Sequence, residues 1–164
     1  MIVVDLFVDG ANGGSRGTPG GWAFVLLDPQ TDAGLAISGH EHLPITTNNR
    51  MELTAVCKGL EHLGSECSLV TVYTDSAYVK NPFTYRWIYK WQANGWKSSE
   101  GADVANQDLW VPLVELVNRH RVTWQKVKGH REKSTKRTNL WNCRVDALAV
   151  AAKKSGSGVV EFVP

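Results

Sequence analysis

The 164-residue sequence contains no apolar run approaching the roughly 20 residues that a membrane-spanning helix requires. Its first residues, Met1 to Asp9, are apolar but lack the basic segment of a secretion signal and carry Asp5, so they read as a strand. Cysteine is scarce. Cys57, Cys67 and Cys143 are odd in number and show neither CxxC nor Cys/His spacing, so neither a disulfide framework nor a zinc site is indicated. They are expected to pack as small hydrophobes in a reducing cytoplasm. Internal repeats and long low-complexity linkers are also absent.

A hydrophobic content of 43% fits one ordinary domain with a sizeable core. The net charge of +2 conceals an asymmetry. Residues 1–79 hold nine acidic and three basic side chains, whereas the stretch from Arg119 to Arg137 holds eight basic and one acidic. An acidic half suits divalent cations and a basic stretch suits phosphates, although charges scattered over solvated faces give the same composition.

Patterning predicts strands over 2–9, 22–27 and 34–42, the first ending at Gly10 and a glycine-rich turn. Met51, Ala55, Val56, Leu60 and Leu63 form the apolar stripe of a helix starting at Asn49 and stopped by Gly64. A strand over 69–74 closes on Asp75-Ser76. Two short helices are expected over 76–80 and 85–92, separated by Asn81-Pro82, then a helix over 107–118 and a strand over 122–127. The last helix is expected from Trp141 to about Lys153. These elements predict an α/β domain over 1–154, with a flexible tail over 155–164.

Asp9 and Asp75 stand at the carboxyl ends of strands, where open α/β sheets place ligand sites. Each also suits a turn or a helix cap. Glu52 falls three residues after Asn49 and fits a capping box; Asp146 suits the early part of the last helix, where it favours the dipole. Taken singly, none of the four compels a functional reading.

Together, two at strand ends and two at helix starts, they are stronger evidence but still need a fold to bring them together. Asp9-Gly10-Ala11-Asn12, Thr47 through Leu53 (TNNRMEL), Thr74-Asp75-Ser76, Gly95-Trp96-Lys97, Asp108-Leu109-Trp110 and Val127-Lys128-Gly129-His130, followed by Asn142 and Asp146, closely resemble type 1 ribonuclease H, in order, across about residues 2–152. The resemblance implies the ribonuclease H-like fold, a five-stranded mixed sheet (three antiparallel, then parallel strands) with helices on both faces. It implies hydrolysis of the RNA strand of an RNA/DNA hybrid, leaving 5′-phosphate and 3′-hydroxyl ends, by a cytoplasmic monomer.

Asp9, Glu52, Asp75 and Asp146 would hold two Mg²⁺ ions, with Mn²⁺ a possible substitute; hard cations prefer such oxygen ligands. His130 would be a mobile proton shuttle whose loss slows turnover without abolishing it. Gly10, Asn12, Asn48 and Glu52 would border the RNA strand. Thr47 and Asn106 would hold a DNA phosphate, and Trp87 would face the DNA. Trp91, Trp96, Trp110 and Trp124 are expected in the core.

The sequence departs from the family in three places. The segment after the tryptophan-rich helix is nearly uncharged (Gln92-Ala93-Asn94, then Ser98 to Asp103), the loop from Arg131 to Arg137 is longer and more basic, and Ala77 replaces a polar side chain. Some phosphate binding is therefore expected to shift to this loop, through Arg131, Lys133, Lys136 and Arg137, with Lys128 a further substrate-contact candidate. A catalytically silent hybrid-binding module and a DNA-directed nuclease of the same fold are the rival readings.

Overall fold

A computed structural model of the chain describes residues 1–12, 18–41, 46–127 and 136–155, together with the backbone of 159–163. The sheet is built from β1 (Ile2–Ala11), β2 (Gly20–Leu27), β3 (Gly34–Glu41), β4 (Ser68–Thr74), β5 (Arg121–Lys126) and β6 (Val159–Val163). Its strand order is β5-β4-β1-β2-β3-β6. β1, β2 and β3 pair antiparallel, while β4 runs parallel to β1 and β5 parallel to β4. This is the expected five-stranded mixed sheet with one strand added. Within the tail expected to be flexible, Ser155 ends α5 and Val159–Val163 pairs antiparallel with β3, Gly34 opposite Val163 through Ser38 opposite Val159. An edge strand offers unpaired backbone donors and acceptors, which a β-branched and aromatic segment (VVEFV) is suited to take up.

The helices are α1 (Asn48–His62), α2 (Ala77–Thr84), α3 (Trp87–Ala93), α4 (Gln107–Arg119) and α5 (Arg137–Ser155). Strand alternation sends Leu6 and Val8 to one face, where they join Leu53, Val56 and Leu60 of α1 and Trp110 and Leu113 of α4. Phe7 and its neighbours Ala23 and Val25 face the other way, against Val145 and Ala149 of α5.

Two helix boundaries differ from the sequence expectation. Asn81-Pro82 does not break α2; Pro82 lies inside the helix and is buried, so packing outweighs the one backbone bond that proline forfeits. The last helix begins at Arg137 rather than Trp141. Its guanidinium reaches Asp5 at 2.8 Å and Asp32 at 2.6 Å, a long-range contact that no local pattern signals. Of the four tryptophans expected in the core, Trp110 is fully enclosed and the other three are partly buried against the same cluster. Among the cysteines Cys57 alone is buried, and Cys67 is exposed.

Candidate active site

β1 and α5 run side by side in matching steps. Asp5, Phe7 and Asp9 project from one face of β1: Asp5 pairs with Arg137, Phe7 meets the Trp141 ring, and Asp9 lines one cavity with Asp146. Four strand residues advance about 13 Å and nine helical residues about 13.5 Å, so the two registers coincide. Asp146 is the tenth of 19 residues in α5, too far from the N-terminus for the dipole to explain it.

The capping explanation of Glu52 fails as well. Thr47 caps α1, its hydroxyl accepting the Arg50 N–H at 3.1 Å, which places Glu52 beyond the first turn. Its side chain turns inward and is 2% exposed. α1 reaches this position because Gly10 lets it approach: a Cβ on Gly10 would lie 2.5 Å from the Glu52 nitrogen. Gly10→Ala is accordingly expected to cost about 3 kcal/mol of stability by overpacking. Thermal unfolding would read that loss, and the variant's cleavage rate would report the displacement of Glu52.

Asp9, Glu52 and Asp75 each present a carboxylate oxygen within 4.8 Å of the others. Asp146, Gly10, Asn12 and Asn48 line the same open cavity of about 300 Å³. Burial is the main cause that lifts the Asp9 carboxyl from 3.8 to about 7. The charge of Asp75 and the hydrogen bond with Asp146 add to it, against the opposing bonds of Glu52 and the Gly10 N–H. Burial, then the charge of Asp9, holds Glu52 well above the usual carboxylate range. Oε2 of Glu52 is enclosed without a hydrogen-bond partner. An all-oxygen, self-repelling cluster with an orphaned acceptor fits a hard divalent cation.

The substrate-contact candidates fall in three places. Lys128, His130, Arg131 and Lys133 lie outside the described residues. Asn106, at the start of α4 with a left-handed backbone (φ 63°), accepts from Arg50 at 3.2 Å and donates to the Tyr78 hydroxyl at 3.0 Å. Arg50 also pairs with Asp108 at 2.8 Å and Glu41 at 3.3 Å, so one guanidinium ties Asn106 to the helix that Thr47 caps. Sequence reasoning missed Arg50; its place between Thr47 and Glu52 was the available signal. Trp87 is 42% exposed and borders a groove of about 730 Å³ with Lys90, Trp91 and Lys97. Asp103 holds Lys97 at 2.6 Å on the exposed surface, leaving this region weakly basic.

Arg137 is not available to a phosphate in the way the sequence suggested. Its pairing with the buried Asp5 and with Asp32 makes it the anchor of α5.

Residues 2–154 match the RNase H family. The chain belongs to the ribonuclease H family. It is 48% identical over 147 residues to the ribonuclease H of Thermoanaerobacter sp. (strain X514), covering 90% of this chain and 87% of that one. The ribonuclease H of Moorella thermoacetica (strain ATCC 39073 / JCM 9320) is 44% identical over 152 residues, covering 93% and 92%. Among solved structures, LC9-RNase H1, described as a type 1 RNase H with the type 2 active-site motif, superposes with a TM-score of 0.81 at 28% identity. That match covers 99% of this chain and 78% of the other. Family membership makes the chain a hydrolase. Among the described residues, no helix is long and apolar enough to cross a membrane.

Proposed function

We propose that the chain is an endonuclease that hydrolyses the RNA strand of RNA/DNA hybrids at the cavity of Asp9, Glu52, Asp75 and Asp146. The observation that carries this reading is the convergence of three carboxylates within 4.8 Å around an unpartnered, buried Glu52 oxygen. Family membership and relatives named ribonuclease H at 48% and 44% identity support the substrate.

Asp9, Glu52 and Asp75 would hold one Mg²⁺, or Mn²⁺ in its place, and Asp146 would complete the set for a second. Bound divalent ions supply an activated water and neutralise the leaving oxygen of an in-line displacement. Everything else falls to the chain. Asn12 and Asn48 offer amides beside the carboxylates, suited to the 2′-hydroxyl that marks RNA. Thr47 accepts from Arg50 with its hydroxyl oxygen and retains its own O–H to donate to a DNA phosphate. Asn106, fixed by Arg50 and Tyr78, stands ready to take part at the same phosphate. His130 would carry the proton to the departing oxygen, and Trp87 would pack against the DNA strand. Products would carry 5′-phosphate and 3′-hydroxyl ends, released by a cytoplasmic monomer.

A substrate panel tests the reading. Labelled RNA in a hybrid should be cut with Mg²⁺, while single-stranded RNA, duplex RNA and duplex DNA stay intact. Cutting of duplex DNA would instead establish a DNA-directed nuclease of this fold.

The basic loop yields a separate expectation. Neutralising Arg131, Lys133 and Lys136 together should raise KM and lower the salt slope of kcat/KM by roughly 0.9 for each phosphate left without its cation. Arg137→Ala should instead lower the melting temperature. An unchanged slope in the triple variant would remove the loop from phosphate binding.

A further inference from the structure

The carboxylate cavity is also lined by Lys153, the one basic side chain on its wall among the described residues. No carboxylate and no hydrogen-bond acceptor among the described residues pairs with its ammonium. Its position is built by the fold. Lys153 follows Asp146 by seven residues, close to two helical turns, so both lie on the same side of α5. The rise between them is about 10.5 Å, and helical Cα–Cβ bonds lean toward the N-terminus. The lysine stem is therefore directed back along α5 toward Asp146.

Close contact with β2 fixes the backbone at this point. A Cβ on Gly21 would lie 2.0 Å from the Ala149 carbonyl oxygen and 2.6 Å from the Lys153 nitrogen. The last turns of α5 thus sit directly on the sheet, and Lys153 cannot drift without moving the helix.

We infer that Lys153 is a substrate-binding residue of the reaction, its ammonium contacting a non-bridging oxygen of an RNA-strand phosphate at the cavity mouth. The inference rests on the hydrolase reading above. Four carboxylates and two divalent cations cancel in charge, so a phosphodiester brings an uncompensated negative charge into the cavity. A flexible ammonium at the wall offsets that charge without a fixed bidentate geometry, which suits lysine as a point charge. No ion pair within 4.0 Å joins the lysine to a cavity carboxylate among the described residues. Lys153 is held on a packed helix, its backbone seated against β2.

The test measures hybrid binding by fluorescence anisotropy across a salt series, in an Asp75→Asn background that keeps the RNA intact. Lys153→Met and Lys153→Arg are compared with the parent, and thermal unfolding is recorded for all three. Lys153→Met is expected to weaken binding about tenfold at low salt and to lower the salt slope by roughly 0.9, the signature of one phosphate left without its cation. Lys153→Arg should restore the slope. In the otherwise wild-type enzyme, Lys153→Met should raise KM more than it lowers kcat.

A packing role for the aliphatic stem would move the melting temperature, which methionine largely preserves, and leave the slope unchanged. An unchanged slope therefore overturns the inference. The two readings fail separately: if the parent protein prefers duplex DNA over hybrid, the substrate reading falls, while the Lys153 slope is still readable on the duplex.

Discussion

Metal-free protein is expected to lose stability as the pH rises from about 4 to about 7, and millimolar Mg²⁺ to restore most of that loss. The origin is Asp9, whose carboxyl is lifted from 3.8 to about 7 chiefly by burial. The folded state therefore holds this proton more tightly than the unfolded chain does. The stability so conferred is full below about pH 3.8, declines through the interval, and is gone above about pH 7. Three pH units at about 1.4 kcal/mol each make an effect on the order of 4 kcal/mol. For a chain of this length that is a shift of roughly 10 °C in melting temperature. Glu52 moves in the same direction, so the two carboxyls titrate as a pair and share the loss.

The acid side is limited by other groups. Arg50 holds Asp108 below the usual carboxylate range, and Arg137 does the same for Asp32, so their ion pairs are lost as the pH falls below about 4. Melting curves in EDTA and in Mg²⁺ at pH 5, 7 and 8.5 would check this behaviour. The gap between them should widen with pH, because cations compete with protons for the same oxygens. A gap independent of pH would mean that the carboxylates are not where the metal binds.

Glu52→Gln should separate activity from stability. It removes a carboxylate from the site but keeps its size, and the loss of about 4 kcal/mol of transition-state stabilisation would slow hydrolysis about a thousandfold. The same substitution relieves the repulsion between Glu52 and Asp9 and supplies an amide in place of a buried, unpartnered oxygen. The EDTA melting temperature should therefore rise by several degrees while activity collapses. A structural residue behaves in the opposite way: its loss lowers melting temperature and activity together. Single-turnover cleavage and melting curves on the same preparation would distinguish the two.

The strand pattern made much of the fold legible. β1 to β3 followed from alternation and glycine-rich turns, and β4 and β5 from short β-branched runs closed by polar residues. What escaped depends on contacts distant in sequence. Arg137 begins α5 because Asp5 and Asp32 pair with it, partners more than a hundred residues away. The segment 159–163 joins the sheet only because β3 presents an open edge to it. Pro82 reads as a breaker locally but is held inside α2 by packing.

The carboxylates were legible as a set and ambiguous one by one. Local chemistry offers every one of them an ordinary use, as a cap, a turn residue or a dipole partner. For Glu52 and Asp146 the tertiary structure removes those alternatives, by starting α1 at Asn48 and α5 at Arg137. Lys153 was illegible for a related reason. A lysine in the last turn of a helix has an ordinary dipole role, and nothing in the sequence reveals that Gly21 seats this turn beside the cavity.

The central claim is that these carboxylates form a metal-dependent site that cuts RNA paired with DNA. The most direct measurement anneals a 5′-labelled RNA to DNA and incubates the hybrid with wild-type or Asp75→Asn protein, with Mg²⁺ or with EDTA. Internal RNA cleavage is expected from wild-type protein with Mg²⁺ alone, and none in EDTA or with the variant. Wild-type protein that binds the hybrid but cuts nothing with Mg²⁺ or Mn²⁺ would contradict the claim and leave a hybrid-binding module.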